Sequence, residues 1–572
     1  MKCLLVAINA KYIHSNLAVY SLKACADAAI EYGYLTSGLQ VELAEYTINH
    51  RAAEILDDIY MKKADILCFS CYIWNIEYVK TLVRNLKRLR PQVPIWLGGP
   101  EVSFDPEERL VEIPEVDGIL CGEGEQSFPE LLHFYEATES GTSISSGLPK
   151  GCACREGGGT VIAPPPRAPV CMDQIPFVYR TMPEESFKNR ILYYETSRGC
   201  PFSCSYCLSS VDKRLRFRSL SLVYEELKFF LERKVPQVKF VDRTFNCKKD
   251  RAMAIWTFLR EHDNGVTNFH FEIGADLLDE ECFALLETMR PGLLQLEIGV
   301  QSANPKTLEA ICRATDFGKL RLAAERTGRE KNIHRHLDLI AGLPYEDYES
   351  FGHSFDQVYF MEPDELQLGF LKVLKGTLMD KEADRYRILY QAEAPFEVLE
   401  TLWLSHEDII HLKQVEEMVE IYYNSRQFLF SMKRLSSLFD RPFLLYESLG
   451  RAWAAQEMGK RKHVRAALYQ FLLDYAKKQF PEVAEGLRQS LTFDYYLREH
   501  AKKRPEFALS QEPYRSEIRN RLSARFPEVP IKQLLKEIHV EVACSSLLEK
   551  EYWMFDYKDK DPLTGNAALI RL

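Results

Sequence analysis

Three closely spaced cysteines are the residues of this chain best suited to chemistry. Cys200, Cys204 and Cys207 lie in the stretch that begins at Glu195 and reads ETSRGCPFSCSYC. Thiolates are the ligands of iron–sulfur clusters, and three thiolates on a four-iron cubane leave one iron open for chemistry. Structural zinc fits less well, because it takes four closed ligands and no fourth Cys or His lies at finger spacing. The motif therefore predicts a [4Fe–4S] cluster with one open iron.

The spacing C-x-x-x-C-x-x-C, with Tyr206 just before the last cysteine, resembles the signature of the radical S-adenosylmethionine (SAM) enzymes. The resemblance implies that the open iron binds the amino and carboxylate groups of SAM. It also implies that SAM is cleaved reductively to a 5′-deoxyadenosyl radical, and that Tyr206 is a SAM contact.

Composition fits a cytoplasmic enzyme of several domains. The chain has 572 residues, with 46% hydrophobic and 27% charged residues, as in ordinary globular proteins. Its net charge of −10 gives no overall basic field, which argues against a nucleic-acid partner. Its 15 cysteines are scattered, as in a reducing cytosol. No apolar stretch reaches the roughly 18 residues of a membrane span, and the N-terminus is typical of a first strand rather than a signal peptide.

Residues 1–138 alternate apolar runs with segments of helical spacing, which predicts a doubly wound, Rossmann-like α/β domain. The run from Ala64 to Trp74 is continuously apolar, as expected for a central parallel strand. Ligands of such sheets bind beyond the carboxyl ends of the strands. Polar or glycine-rich loops lie at those ends, at 9–16, 70–75, 98–103 and 122–125.

These loops, with Gly-Gly-Pro-Glu and Gly-Glu-Gly-Glu in the last two, resemble the cobalamin-binding domain that is fused to one class of radical SAM enzymes. Glycines there would let the backbone approach a bulky ligand. A domain that only keeps the fold, or binds a nucleotide, is the alternative. The resemblance implies cobalamin contacts from Asn9, His14, Ser70, Tyr72, Trp74, Asn75, Gly98, Gly99, Pro100, Glu101, Ser103, Gly122, Glu123, Gly124 and Glu125.

One departure from many cobalamin proteins concerns the lower face of the cofactor. The segment Asp-x-His-x-x-Gly, which supplies an axial histidine in those proteins, is absent, and His14 lacks that frame. We therefore expect the lower face of cobalamin to meet side chains of the 70–75 loop without an imidazole bond. Cys68 and Cys71 lie inside the apolar run and are interpreted as core residues.

The composition changes after the first domain. Residues 139–186 are rich in Ser, Gly and Pro and are predicted to be a linker with one hairpin. Residues 187–378 then repeat strand and helix, as in the partial (β/α)6 barrel of radical SAM enzymes, whose active groups project from the carboxyl ends of the strands. The predicted strands are 191–196, 237–242, 269–273, 294–299, 335–340 and 366–373.

Polar residues at those strand ends are the further candidates for SAM binding. The stretches 297–302 and 338–344 resemble family segments that line the SAM pocket, and Asp242 stands where many relatives carry Gly-Gly-Glu. For Glu272 or Glu297, a barrel-closing ion pair with Arg243 or Arg335 is the structural alternative. The candidates are Asp242, Glu272, Glu297, Gln301, Ser302 and Asp338.

Residues 379–572 carry aromatic and leucine residues at helical spacing, which predicts a mostly helical domain that caps the barrel and shapes the substrate cavity. Helices are expected at 381–392, 405–423, 441–458, 461–478 and 531–549.

Together these features predict a cobalamin-dependent radical SAM enzyme that methylates an unactivated carbon of an unknown substrate and takes electrons from a donor such as flavodoxin or ferredoxin. A cobalamin-dependent cyclase or rearrangement enzyme is one alternative. A tRNA methylthiotransferase is another, but it would need three further cysteines for a second cluster and a basic RNA-binding tail. A cobalamin sensor with a structural cysteine loop is the third.

Overall fold

The computed structural model describes residues 1–137, 148–155, 161–162, 169–501, 503–544, 550–561 and 564–572. Residues 139–147 of the predicted linker and residues 545–549 of the last predicted helix lie outside the described residues. The chain forms two compact units. The first comprises Met1–Leu296, Leu308–Thr315 and Phe370–Leu402, and the second comprises Glu297–Thr307, Asp316–Gly369 and Trp403–Leu572.

A seven-stranded sheet forms the N-terminal part of the first unit. Its strands are β1 (Lys2–Asn9), β2 (Gln40–Thr47), β3 (Ile66–Ser70), β4 (Ile95–Gly98), β5 (Gly118–Leu120), β6 (Cys152–Arg155) and β7 (Val161–Ile162). Their order is β2-β1-β3-β4-β5-β6-β7; the first five strands pair in parallel and the last two pair antiparallel. The strand order reverses between β1 and β3, where doubly wound sheets bind their ligands.

Helices cover both faces of this sheet, as a doubly wound fold requires. They are α1 (Leu17–Glu31), α2 (Ala52–Met61), α3 (Ile76–Leu89), α4 (Pro100–Ser103), α5 (Pro106–Glu112) and α6 (Gly124–Ala137). Every residue of β3 is buried, and Phe69 and Leu97 pack in one core cluster with Val83 of α3. Burying each such side chain stabilises the fold by about 1.5–3 kcal/mol.

Part of the predicted linker is structured. Gly118 of β5 pairs with Cys154 of β6, so the strands after residue 151 extend the first sheet. Further along, Phe177 and Tyr179 pack with Phe230, with ring centroids 5.4 and 5.3 Å apart. β6 and β7 pair antiparallel and form the one hairpin that was predicted in the linker. The Gly- and Pro-rich composition did not reveal that β6 also joins the first sheet, because such residues occur both at edge strands and in short turns.

A six-stranded sheet follows. Its strands are β8 (Ile191–Tyr194), β11 (Gln237–Phe240), β12 (Asn268–Ile273), β13 (Leu294–Gln301), β14 (His334–Ala341) and β15 (Glu365–Phe370). Two short strands between β8 and β11, β9 (Ser197–Arg198) and β10 (Arg216–Phe217), pair with each other as an antiparallel hairpin. The sheet order is β15-β14-β13-β12-β11-β8, and β8, β11 and β12 pair in parallel. The six predicted strands are confirmed. The intervening helices are α7 (Leu220–Glu232), α8 (Lys249–Glu261), α9 (Glu280–Leu286), α10 (Pro305–Ala310), α11 (Phe317–Thr327) and α12 (Tyr348–Tyr359).

The rest of the chain is mostly helical, as predicted, and ends in a small antiparallel sheet. The helices are α13 (Leu378–Glu382), α14 (His406–Val419), α15 (Leu429–Ser436), α16 (Pro442–Ala455), α17 (Arg465–Gln479), α18 (Ala484–Arg498), α19 (Arg515–Arg525) and α20 (Ile531–Leu534). The strands are β16 (Leu389–Tyr390), β17 (Val398–Glu400), β18 (Ile538–Cys544), β19 (Lys550–Lys560) and β20 (Ala567–Arg571), of which the last three form one sheet.

Two predicted C-terminal helices are wrong. In 381–392 the helix ends at Glu382 and the chain continues into the hairpin of β16 and β17. In 531–549 only one helical turn forms before β18, where Ile538 and Val540 are buried on one face. β-branched residues at alternate positions favour a strand there, and this two-residue period was mistaken for a helical one.

Candidate functional site

The first unit contains a cavity of about 940 Å³. The loops that follow β1, β3, β4 and β5 line one side of it, and segments around the cysteine motif and the ends of β8, β11 and β12 line the other. All of the predicted cobalamin contacts except Asn75 line this cavity. The structure therefore brings together four loops that the sequence placed at the carboxyl edge of the first sheet.

Asn75 lies behind the cavity wall and shapes it. Its side chain is fully buried and donates from Nδ2 to the carbonyl oxygens of Ile8, at 3.0 Å, and Ser70, at 2.9 Å. Its Oδ1 accepts from the backbone N–H of Tyr72 at 2.8 Å. Asn75 thus joins β1 to the loop that carries Tyr72.

Tyr72 and Trp74 form a flat aromatic surface on the cavity wall. Their rings stack with centroids 4.3 Å apart and planes 8° apart. Trp74 Nε1 donates to the carbonyl oxygen of Ile8 at 3.1 Å, which fixes the indole, and 41% of the residue stays exposed. Contact of this aromatic surface with the lower face of a corrin ring remains a prediction.

His14 lines the cavity and contacts the second domain. Its Nδ1 lies 2.8 Å from the Tyr193 hydroxyl. Burial lowers the pKa of His14, and the charges of Lys11 and Lys239 lower it further, so the ring is neutral near pH 7. This contact agrees with the expectation that His14 is a loop residue rather than a cobalt ligand.

Two glycines allow close backbone approaches at the site. Gly99 has φ +108°, and a Cβ there would lie 2.5 Å from the Cys71 carbonyl oxygen. Gly199, directly before Cys200, has φ +87°, and a Cβ there would lie 2.4 Å from the Arg214 carbonyl oxygen. An L-residue would be strained and obstructed at both positions.

Arginines around the cysteine motif hold the acidic loop of the first domain. Arg198 Nη2 donates to Glu125 Oε1 at 2.5 Å and also lies 2.9 Å from Glu195 Oε2. Arg216 Nη2 donates to Glu123 Oε1 at 2.6 Å. Burial raises the pKa of Glu195, and the charge of Arg198 opposes that rise. Neither Arg198 nor Arg216 was among the predicted site residues, although Arg198 lies inside the cysteine stretch, where a loop-shaping role was expected.

The three motif cysteines lie close enough to interact. Cys200 and Cys204 are buried and Cys207 is half-buried. Burial raises the pKa of Cys204, and the neighbouring Cys207 and Cys200 raise it further. The backbone of Ser205 anchors the loop, because its N–H donates to the Ile311 carbonyl at 2.9 Å and its carbonyl accepts from Met379 at 2.8 Å.

The assignment of these cysteines to a [4Fe–4S] cluster remains a prediction. Among the described residues, no group of three or more His, Cys, Asp or Glu is arranged to hold one metal ion. Each cysteine of a cubane binds a different iron, so its sulfurs do not converge on one point. Gly199 and Leu208, on either side of the motif, line the cavity, whereas Cys200, Cys204 and Cys207 are not among its lining residues.

Of the SAM candidates in the first unit, Glu272 lies at the cavity wall, whereas Asp242 and Tyr206 do not. Asp242 is 1% exposed, and its two oxygens accept from the backbone N–H and hydroxyl of Thr196, at 2.7 and 2.5 Å, and from the Ser197 hydroxyl at 2.8 Å. Burial raises the pKa of Asp242, and the bonds from Thr196 oppose that rise. Tyr206 accepts from Arg313 Nη1 at 3.4 Å.

The remaining SAM candidates, Glu297, Gln301, Ser302 and Asp338, belong to the second unit. The Ser302 hydroxyl donates to Glu346 Oε1 at 2.6 Å. Gln301 has φ +73°, and its buried Oε1 has no hydrogen-bond partner among the described residues. Asp338 Oδ1 lies 2.9 Å from His336 Nε2. Their assignment to SAM remains a prediction.

The structure also shows where Arg243 and Arg335 lie, the two arginines considered as ion-pair partners of Glu272 or Glu297. Arg335 pairs with Asp364, with Nε and Oδ2 3.5 Å apart. Arg243 lines the cavity and makes no ion pair within the described part of the chain.

Three family models match the chain. The model described as B12 binding domain matches residues 4–132, and that of the Radical SAM superfamily matches residues 194–358. The chain thus contains a segment that matches a B12-binding domain and a second segment that matches a radical SAM domain. A third model, "Protein of unknown function (DUF4080)", matches residues 384–558. The predicted family and fold class are thereby confirmed.

Curated relatives share these two domains at low identity. The chain is 28% identical over 284 residues to "Uncharacterized methyltransferase PH0819" of Pyrococcus horikoshii, which covers 47% of the chain and 58% of the relative. It is 28% identical over 302 residues to the cobalamin-dependent radical SAM methyltransferase TokK of Streptomyces tokunonensis, which covers 50% and 44%. The chain thus spans about half the length of these relatives.

Solved structures share the fold. OxsB with aqua-cobalamin bound superposes with a TM-score of 0.59 at 13% identity, covering 94% of this chain and 83% of OxsB. The methyltransferase TsrM from Kitasatospora setae, with cobalamin and a [4Fe–4S] cluster bound, gives 0.54 at 18% identity, covering 68% and 76%. Within the described residues, no helix has the length and apolar character needed to cross a membrane.

Proposed function

We propose that the chain is a cobalamin-dependent radical SAM methyltransferase that acts on an unactivated carbon of its substrate. The observation that carries this proposal is the cavity of about 940 Å³ whose walls come from both domains. The ends of the first sheet contribute Trp74 and Gly99, and the second domain contributes Gly199 and Glu272. A methyl group held at one wall and a radical generated at the other would meet in the same cavity.

When bound, the reduced cluster, SAM and cobalamin would supply an electron, a 5′-deoxyadenosyl radical and a methyl group. Cys200, Cys204 and Cys207 would hold the cluster. Tyr72 and Trp74 would support the lower face of the corrin. Substrate and cofactors that fill the cavity would exclude water from a reactive radical.

The names of several relatives support methyl transfer. Besides TokK, they include the hopanoid C-3 methylase of Methylococcus capsulatus, which is 25% identical over 333 residues. We further propose that a flavodoxin or ferredoxin supplies the electron, since the radical SAM domain needs a one-electron donor. The substrate is not assigned.

A cyclase is the second candidate. The anaerobic magnesium-protoporphyrin IX monomethyl ester cyclase of Rubrivivax gelatinosus is 22% identical over 321 residues, and this match covers 54% of the chain. A match to the putative methylthiotransferase MJ0865 of Methanocaldococcus jannaschii covers only 31% of the chain. A methylthiotransferase also needs a second cysteine triad, which the sequence spacing does not provide.

The test is anaerobic reconstitution of the full chain with iron, sulfide and hydroxocobalamin, followed by reaction of SAM under dithionite. We expect 5′-deoxyadenosine by mass spectrometry, with loss of this product in the Cys200→Ala, Cys204→Ala and Cys207→Ala variants and its retention in Cys247→Ala. Absence of 5′-deoxyadenosine from the reconstituted chain would contradict the radical reaction and leave the sensor as the better reading.

Methyl transfer is separated from cyclisation by SAM carrying a deuterated methyl group, incubated with a metabolite extract. Transfer predicts the deuterated methyl in a product. Consumption of SAM with no label in any product would favour the cyclase.

A further inference from the structure

Two side chains from outside the cysteine motif lie against its sulfurs. Arg313 Nη1 is 3.7 Å from Cys204 Sγ, and Thr244 Oγ1 is 3.7 Å from Cys200 Sγ. Both distances lie within hydrogen-bond range for a sulfur acceptor. When the cysteines are thiolates bound to iron, the guanidinium is a donor to Cys204. The Thr244 hydroxyl donates to the Arg243 carbonyl oxygen at 2.9 Å and must rotate to donate to Cys200.

The position of Arg313 is fixed by its surroundings. The backbone two residues earlier, at Ile311, accepts from Ser205 within the cysteine motif at 2.9 Å. The same Nη1 that faces Cys204 also lies 3.4 Å from the Tyr206 hydroxyl. Arg313 is half-buried, so water screens its charge incompletely. A positive charge is therefore held beside a ligand sulfur.

Hydrogen bonds to ligand sulfurs and nearby charge are main determinants of the reduction potential of an iron–sulfur cluster. Reduction adds a negative charge to the cluster, so a guanidinium at Cys204 stabilises the reduced form more than the oxidised form. A charged donor forms a stronger bond than a neutral hydroxyl. Arg313 should therefore affect the potential more than Thr244 does.

We propose that Arg313 is a positioning residue that raises the reduction potential of the cluster at Cys200, Cys204 and Cys207, with Thr244 as a weaker neutral contributor. This inference rests on the cluster of the proposed function but is independent of the substrate and of methyl transfer. Its consequence is that a biological one-electron donor can reduce the cluster more readily.

The test is a potentiometric titration of the reconstituted full chain without SAM, in which the EPR signal of the reduced cluster is measured at each potential. At the midpoint potential of the wild-type protein, R313Q should lower the ratio of reduced to oxidised cluster at least tenfold, which is about 59 mV for a one-electron couple. R313K keeps the positive charge but loses the planar set of N–H donors of a guanidinium, so we expect its midpoint potential to fall by less than that of R313Q. T244V should also lower the midpoint potential by less than R313Q does.

The matched control is R214Q. Arg214 follows the motif closely in the sequence, but its Nε donates to Asp212 Oδ1 at 2.9 Å and its side chain is 68% exposed. The potential of R214Q should equal that of the wild-type protein.

An R313Q variant with four irons and an unchanged potential would overturn the inference and leave Arg313 as a packing residue for Tyr206. If R313Q assembles no cluster, R313M decides, because it also removes the positive charge, and a wild-type potential in R313M overturns the inference. A wild-type chain that never assembles a cluster would instead overturn the proposed function and the inference together, which distinguishes the two failures.

Discussion

Arg198 Nη2 donates to Glu125 Oε1 at 2.5 Å, and this ion pair joins the two domains at the cavity. Arg198 stands two residues before Cys200, while Glu125 lies in the first turn of α6. Their side chains are only 16% and 8% exposed. The loop expected to hold the cluster and the loop expected to meet cobalamin are thus connected by one buried contact.

Replacing Arg198 should destabilise the first unit. R198M would leave the buried Glu125 and the half-buried Glu195 without Arg198, and breaking a buried pair in this way costs about 3–5 kcal/mol. We expect a clear fall in the midpoint of thermal unfolding and partial recovery in R198K. R180M is the control, because Arg180 and Glu225 form an exposed pair at 2.6 Å, worth about 0–1 kcal/mol. Equal effects of R198M and R180M would contradict this account.

Removing the aromatic surface should weaken cobalamin binding. W74A deletes an indole that is stacked on Tyr72 and faces the cavity, and we expect the Kd for hydroxocobalamin to rise at least about tenfold, equivalent to about 1.4 kcal/mol. Absorbance titration of the apoprotein measures this. Tyr32, which is 85% exposed and does not line the cavity, provides the control Y32A. Unchanged affinity in W74A would show that this surface does not meet the cofactor.

Gly99 should tolerate no side chain. In G99A the methyl group would meet the Cys71 carbonyl oxygen at 2.5 Å, and the backbone would keep a φ of +108° that L-residues rarely adopt. Strain of this kind costs about 1–3 kcal/mol before the clash is counted. We expect a lower unfolding midpoint in G99A and little change in G38A, where nothing lies within 4 Å of the added Cβ. A G99A protein as stable as G38A would be inconsistent with the described loop.

Asp494 should make stability depend on pH. It is 1% exposed, its oxygens accept from the N–H groups of Phe430 and Ser431 at 2.9 and 2.8 Å, and burial raises its pKa to about 7. An unfolded Asp has a pKa near 3.9. Between about pH 4 and pH 7 the unfolded chain loses this proton while the native state keeps it, so native stability falls as the pH rises and levels off above pH 7.

The corresponding measurement compares the thermal midpoints of the wild-type protein and D494N from pH 4 to pH 8. Asn does not titrate, so the stability of the wild-type protein relative to D494N should fall across this window, by a total on the order of 3 kcal/mol. If the difference between the two thermal midpoints does not change with pH, Asp494 has the same pKa in the native and unfolded states, and the prediction is contradicted.

The cysteine triad and the four loops of the first sheet could be predicted because each is a local pattern. Gly98 and Gly99 follow a strand, and the parallel order of the strands brings their ends to one edge. Arg313 and Thr244 could not be predicted, since they reach the motif from positions 109 and 44 residues away along the chain. Only tertiary packing places them there.

The C-terminal sheet was missed for another reason. The segment Ile538–Cys544 contains apolar residues at both two-residue and helical intervals, and only its pairing with β19 decides between strand and helix. Asp242 was correctly placed at a strand end, but the sequence could not reveal that Thr196 and Ser197 occupy its carboxylate.

The most direct test of the central claim, that one cavity serves both cofactors, is an EPR measurement of spin–spin coupling in the protein loaded with cob(II)alamin and a reduced cluster. We predict a broadened, faster-relaxing cobalt signal that reverts to the isolated signal when Cys200, Cys204 and Cys207 are replaced by Ala. Two full-occupancy signals that do not influence each other would contradict the account.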